Sequence, residues 1–293
     1  MISVVNIRAG KQNPGENTMW NQLIDGWDDY QTAIGRPRTT RDLRRYQISH
    51  LAKSLNIEPG RVTETDLIGW FAIHDWAPET RRSYRSAVQA FFAWAVKHKH
   101  IPNDPAVEIP QIKVPPASPR PAAEIVYREA LLRADRRTTL MLRLAAEAGL
   151  RRAEVAQVHT RDLRGEPSQR QLLVHGKGGK QRLIPITDEL AAMIGAGPAG
   201  HTVGGASTGW LFPSDKGCGH VNPPTVGEVC SKALGPGTTM HQLRHRFASK
   251  AYRGTRNLRA VQELLGHANV AVTERYTAVD DDERRAAMMS VVA

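Results

Sequence analysis

Apolar residues recur at helical spacing from Met19 to about Ile101. Trp20, Leu23, Ile24 and Trp27 fall at i, i+3, i+4 and i+7; Leu43, Tyr46, Leu51 and Leu55 follow; Tyr84, Val88, Phe91, Phe92 and Ala95 make a third stripe. Each stripe is one face of a helix that must be buried, so this region reads as a small bundle of about four helices, spanning 18–102 after a short extension over 1–17. The tryptophans at 20, 27, 70, 76 and 94 are assigned to its core rather than to base stacking.

Between Ile101 and Pro121 the sequence IPNDPAVEIPQIKVPPASPRP holds seven prolines. Proline removes backbone donors and disfavours helix in the residue before it, so an extended linker and a domain boundary are expected over 103–121. A second domain is expected over 122–280. It opens with helical segments to Ala148, where Gly149 is placed as a stop. The period then shortens in QLLVHGKGGKQRLIPI, residues 171–186, as two β-prone runs around Gly178 and Gly179, where a hairpin turn needs positive φ. Thr187 or Asp188 is placed to cap a following helix that ends at glycines 195 and 197. Further helices are expected through HQLRHRFASKAY, capped by Thr238 or Thr239, through LRAVQELL between Asn257 and Gly266, and through VAVTERYT after Asn269. Asp280 is placed to cap a final helix, with 281–293 ending in an apolar tail. The fold class is therefore mostly α with a small β-hairpin or sheet, an α+β chain of two domains.

Charge narrows the function. The chain has 293 residues, 40 Lys plus Arg against 29 Asp plus Glu, and a formal net charge of +11. That excess attracts polyanions at long range, and nucleic acid is the first candidate partner. No apolar run approaches the roughly 18 residues of a membrane span, and the N-terminus lacks the apolar core of a secretory signal, so a cytoplasmic setting is expected. Cys218 and Cys230 are the only cysteines, and Cys218 with His220 would still need two more zinc ligands; neither a metal nor another cofactor is expected. Arg36, Arg38, Arg41, Arg44 and Arg45 cluster in RPRTTRDLRR, and Arg81, Arg82 and Arg85 follow Pro78. Either cluster alone fits a solvated basic face; two on one small helical domain favour contacts to DNA phosphates.

Candidate chemistry lies in the second domain. His241 and Arg244 share a helix face in HQLRHRFAS, a pair that in isolation reads as a structural feature before a catalytic one. Arg151 follows a helix stop in AGLRRAEV with Glu154 three residues on, Lys177 marks the tip of HGKGGK, His267 follows a helix stop in LLGHAN, and Tyr276 comes nine residues later. A phosphodiester repels nucleophiles, so its displacement needs donors that balance charge growing on the nonbridging oxygens. Arginine forks do this without losing charge at neutral pH, which suits Arg151 and Arg244. A tyrosine nucleophile also needs a base, and the departing sugar oxygen an acid; the histidines and the lysine can supply both.

These stretches resemble the tyrosine recombinases, the family of lambda-type phage integrases, Cre and the Xer proteins. AGLRRAEV is similar to the family's first arginine box, VHGKGGKQRLIPI to its lysine hairpin, HQLRHRFAS to its HxxR box, and LLGHANVAVTERYT to its last histidine and nucleophilic tyrosine. The first domain, with APETRRSYRSAVQAFFAWAVKHKHIPNDPA, resembles the family's core-binding helices, and the likeness extends over residues 18–280.

The resemblance implies that Tyr276 attacks the scissile phosphate, leaving a 3′-phosphotyrosyl link and a free 5′-hydroxyl. Arg151 and Arg244 would clamp the nonbridging oxygens, Lys177 would protonate the leaving oxygen, and His241 would exchange a proton with Tyr276. His267 would hydrogen-bond the phosphate, and Glu154 would orient Arg151 or a histidine; His245 reads as packing. The implied partner is double-stranded DNA with a specific core site, bound by a homotetramer that spans a pair of duplexes and is linked through the C-terminal tail, with room for an accessory DNA-bending protein.

The short stretch before the first helix suggests a compact phage or mobile-element integrase without an arm-binding domain. An Xer-type dimer-resolution enzyme is the alternative within the family. Outside it stand a type IB topoisomerase, and a non-catalytic helical DNA-binding protein, which would give Lys177, His267 and Tyr276 no reason to fall in order. A hydrolytic phosphodiesterase would call for the metal-binding carboxylate clusters that the sequence lacks.

Overall fold

The computed structural model describes residues 14–114, 118–202, 208–215, 219–266 and 289. His267, Tyr276 and nearly all of the tail lie outside this set, as do the helices expected after Asn269 and Asp280. The chain divides into two compact units, Met1–Pro116 and Ala117–Ala293. No helix among the described residues is long and apolar enough to cross a membrane.

The first unit is built from α1 (Pro14–Ala33), α2 (Arg38–Leu55), α3 (Glu64–Ile73) and α4 (Pro78–Lys97). Trp20, Ile24 and Trp27 of α1 close on Phe91 and Phe92 of α4, with Trp20 stacked on Phe91 at 5.6 Å. Thr63 and Asp66 exchange side-chain and backbone hydrogen bonds, the reciprocal cap that starts α3. In α2 the expected stripe is only half right. Leu51 is buried, whereas Leu43 and Tyr46 are 49% and 64% exposed. The inward face of α2 is Gln47, Ile48, Leu51 and Ala52; Tyr46, two residues before Ile48, lies more than half a turn round the helix from it. Nor is the proline-rich stretch extended throughout: residues 105–108 form a turn, with Ile101, Ala106 and Ile109 buried in the first core and the Ile109 carbonyl accepting from Arg85.

The second unit has a core drawn from α5 (Glu124–Arg133), α6 (Arg136–Glu147), the short α7 (Arg152–Ala156), a sheet, α8 (Asp188–Gly195), α9 (Pro223–Leu234) and α10 (Met240–Thr255). The sheet is antiparallel in the order β1 (Leu163–Arg164), β2 (Gln171–His175), β3 (Gln181–Pro185), with Leu173 opposite Leu183. Its β2–β3 turn is the expected hairpin, and Gly178 and Gly179 both take φ of +75°. α11 (Leu258–Leu265) starts where Asn257 accepts from the Ala260 amide and ends at Gly266 in the left-handed region. Thr187 caps α8 through the Leu190 amide, but Thr239 sits at the start of α10 without a capping side-chain bond. α9 has no counterpart among the elements expected from the sequence. Its two leading prolines look like breakers, yet they occupy the first helical positions, where no intrahelical amide is needed.

Candidate active site

Glu154 is the centre of the site. α7 begins at Arg152, and the Glu154 side chain turns back so that Oε2 accepts the Arg151 backbone N–H at 2.8 Å. The carboxylate is 5% exposed and in reach of three guanidiniums. Arg151 Nη1 donates to Oε1 at 2.8 Å, Arg182 Nη1 and Nη2 donate to the two oxygens at 2.9 and 2.8 Å, and Arg244 Nη1 lies 3.7 Å from Oε2. Burial alone would raise this carboxyl's pKa. The hydrogen bonds from Arg182 and the Arg151 amide, with the charges of Arg182 and Arg244, outweigh it and bring the value down to about 2.

The same arginines hold the end of α11. Arg244 Nη2 donates to the Leu265 carbonyl at 2.6 Å, Arg151 Nη1 approaches it at 3.4 Å, and Arg182 Nε donates to the Leu264 carbonyl at 2.8 Å. The last carbonyls of a helix have no partner within it and carry partial negative charge, so cationic donors are favourable there. The cluster thereby fixes the point at which the chain leaves α11 toward His267. Arg244 also donates to the carbonyl of Gly149, and its side chain is 1% exposed, whereas that of Arg151 is 41% exposed.

The hairpin meets this cluster at its base. A Cβ built on Gly176 would lie 3.9 Å from both Glu154 Oε1 and Arg182 Nη1, and the backbone of Lys177 follows at the tip. His241 stands in the first turn of α10 with an exposed edge, its ring 4.6 Å from that of His245. Packing around the ring lowers its pKa, and the nearby charges of Arg244, Arg151 and Arg152 lower it further, which favours the neutral imidazole, the form that can accept a proton. His245 Nδ1 instead accepts from the Arg120 amide, a packing contact. Cys230 is buried and its thiol is pushed up to about 12 by that burial, which leaves it unreactive. Among the described residues no three His, Cys, Asp or Glu side chains are grouped to hold a metal ion.

The expected DNA-binding arginines fare unevenly. Arg81 donates to the His74 carbonyl and Arg85 holds Ile109, so both brace the fold of the first unit. Arg41 pairs with Asp28 at 3.0 Å, and Arg44 bonds Gln31 while lying over the Trp27 ring. Arg45 pairs with Asp25, Arg82 with Glu79 at 2.7 Å, and Arg38 with Asp42 at 3.8 Å; these three and Arg36 are exposed.

Sequence reasoning missed Arg182. The signal was available in HGKGGKQR, where Arg182 is the sole arginine on a strand leading away from the lysine tip. Alternation places it on the same side of β3 as Ile184, facing inward, where a cation needs a partner.

The cationic cluster, built around one buried carboxylate at a helix end, lies in an α+β unit that follows a helical one. The phage integrase family model matches residues 127–283, and the chain belongs to that family, the tyrosine recombinases; as a member it is a site-specific DNA recombinase. It is 33% identical over 224 residues to the tyrosine recombinase XerD of Caulobacter vibrioides, covering 69% of this chain and 72% of that protein. It is 32% identical over 215 residues to XerC of Xanthomonas campestris pv. campestris, covering 70% of this chain and 65% of that one. Its fold is similar to XerH in a post-cleavage complex with a palindromic difH substrate, with a TM-score of 0.70 and 17% identity over 96% of this chain and 97% of that one. A lambda integrase dimer bound to a core site gives a TM-score of 0.70 and 18% identity over 94% of this chain and 83% of that one.

Proposed function

We propose that the chain breaks and rejoins DNA through a 3′-phosphotyrosine made by Tyr276, as a compact phage or mobile-element integrase. The observation that carries the chemistry is the convergence of Arg151 and Arg244 on Glu154 and on the Leu265 carbonyl, beside the base of the Lys177 hairpin. With three guanidiniums around one carboxylate the cluster holds excess positive charge, which guanidinium cannot lose at neutral pH. Arg151 and Arg244 offer that charge to the nonbridging oxygens as the phosphorus becomes crowded. Tyr276 attacks phosphorus and gives up its proton toward His241; the P–O5′ bond breaks, and Lys177 protonates the departing oxygen. His267 donates a hydrogen bond to the phosphate. The phosphotyrosine conserves the phosphodiester bond, so a 5′-hydroxyl of a second strand can attack it and release Tyr276 without an external energy source. The reaction joins a pair of duplexes held by a homotetramer, with 281–293 as the connecting segment and Arg36, Arg38, Arg45 and Arg82 as candidates for backbone phosphates.

The Xer relatives favour a second reading of the same chemistry, resolution of chromosome or plasmid dimers. Denaturing capture of protein joined to nicked fragments of the source genome tests the proposal. Wild type yields adducts enriched for one inverted-repeat site, and Tyr276→Phe yields none. Adducts from the Phe variant would remove Tyr276 as nucleophile. A captured site lying in the chromosome's replication-terminus region favours resolution, and one at a mobile-element boundary favours integration.

A further inference from the structure

We propose that Arg182 is a positioning residue: it takes up the charge of Glu154 and ties the Lys177 hairpin to the end of α11, leaving the charge of Arg151 and Arg244 in excess for a phosphate. This rests on the recombinase chemistry proposed above.

All three guanidinium nitrogens of Arg182 donate within the cluster. Nη1 and Nη2 reach both oxygens of Glu154 at 2.9 and 2.8 Å, the parallel fork that guanidinium and carboxylate make best, while Nε reaches the Leu264 carbonyl at 2.8 Å. Its side chain is 13% exposed, so it faces a partner within the protein rather than solvent. A single carboxylate balances a single guanidinium. With Arg182 on Glu154, three positive charges face one negative, an excess of two. Without it, two face one, and the carboxylate draws on Arg151 at 2.8 Å and Arg244 at 3.7 Å. A phosphodiester brings one negative charge and spreads more over its oxygens as the nucleophile arrives, so the larger excess matters most in the transition state.

The tether has its own geometry. Arg182 sits on β3, directly after the turn that carries Lys177, and its Cδ and Nη1 lie 3.1 Å from where a Cβ would stand on Gly266, the residue at which the chain turns toward His267. One side chain therefore couples the strand that presents the proposed acid to the turn that leads to the proposed phosphate donor and nucleophile. A lysine could supply the charge but not the fork together with the third bond.

The test measures single-turnover adduct formation on nicked genomic fragments, beside filter binding of the same fragments and thermal melting. Arg182→Gln is expected to bind DNA within about threefold of wild type but to form adduct roughly 100-fold more slowly, because the Glu154 charge then falls on Arg151 and Arg244 and weakens their hold on the transition state. Arg182→Gln with Glu154→Gln, which removes the competing charge as well, is expected to regain about tenfold in adduct rate over Arg182→Gln alone; because contacting residues couple in stability too, the rates are compared well below both melting midpoints, where each variant is folded and the regain reads the charge. Wild-type adduct rates in Arg182→Gln overturn the proposal, and a double variant no faster than the single overturns the charge argument. Where Arg182→Gln lacks a cooperative melt, Arg182→Lys serves: a loss of about tenfold in adduct rate with binding kept supports the proposal, and an unchanged rate overturns it. If wild type forms no adduct, the recombinase chemistry itself fails, an outcome distinct from a failure of Arg182 alone.

Discussion

At the scale of single residues, neighbours in one short stretch divide between chemistry and scaffold. In HQLRHRFAS, Arg244 joins the Glu154 cluster and His241 keeps an open edge, whereas Arg246 packs over Tyr127 at 4.3 Å and bonds Glu124 at 2.7 Å, and His245 holds the Arg120 amide. Helical spacing indicates which of these share a face, but the Glu124 partner of Arg246 lies 122 residues away in sequence, so its structural role is not legible in the stretch itself. The supporting role of Glu154, toward Arg151 or a histidine, was implied by the family resemblance and not by its spacing; that it gathers Arg182 and Arg244 as well depends on where β3 and α10 come to lie. Its carboxyl has a folded pKa of about 2, below its ordinary value of 4.5, so the native state releases this proton more readily than the unfolded chain does. The resulting stability is fully present above about pH 4.5 and is lost as pH falls toward 2. A shift of this size corresponds to about 3 kcal/mol. Glu154→Gln should therefore be less stable than wild type by about that amount near neutrality, with the gap narrowing between roughly pH 4.5 and 2. Urea titrations of both proteins across that range check this; a gap that stays constant with pH would refute the charged role.

Among the elements, those with a strong local signal emerged from the sequence and those set by packing did not. The hairpin has its glycine turn, and α11 its Asn257 cap and Gly266 stop. By contrast, the inward face of α2 is decided by what α1 and α4 leave to cover, which local periodicity does not contain. The junction of α6 and α7 shows how tightly one element can constrain another. Gly149 takes φ of +64°, and a Cβ built there would stand 2.5 Å from Cδ1 of Phe247 on α10, while its carbonyl receives Arg244. Gly149→Ala combines a left-handed backbone with an overlap, at a cost of about 2 to 4 kcal/mol. Its melting temperature should fall by roughly 5 to 15 °C. Adding Phe247→Leu should return the part due to overlap and leave the backbone part. Calorimetry of the single and double variants distinguishes these shares, and an unchanged melting temperature in Gly149→Ala would show that the φ and the contact are both readily relieved.

Across the whole molecule, the two compact units have cores made of different residues. The first core runs from Trp20 to Ile109, the second from Ala122 to Leu243, and no residue belongs to both. A domain with its own core can unfold as its own cooperative unit. The distribution of tryptophan makes this measurable, since Trp20, Trp27, Trp70, Trp76 and Trp94 lie in the first unit and Trp210 is the sixth. Fluorescence at the red edge therefore reports chiefly on the first unit, while far-ultraviolet circular dichroism sums the helices of both. If each core melts by itself, the two signals have different midpoints, and the dichroism curve shows a second step where fluorescence is flat. Gly149→Ala should then shift only the step that fluorescence does not follow, because Gly149 and Phe247 belong to the second unit. Coincident midpoints that move together in this variant would mean that the two cores unfold as one.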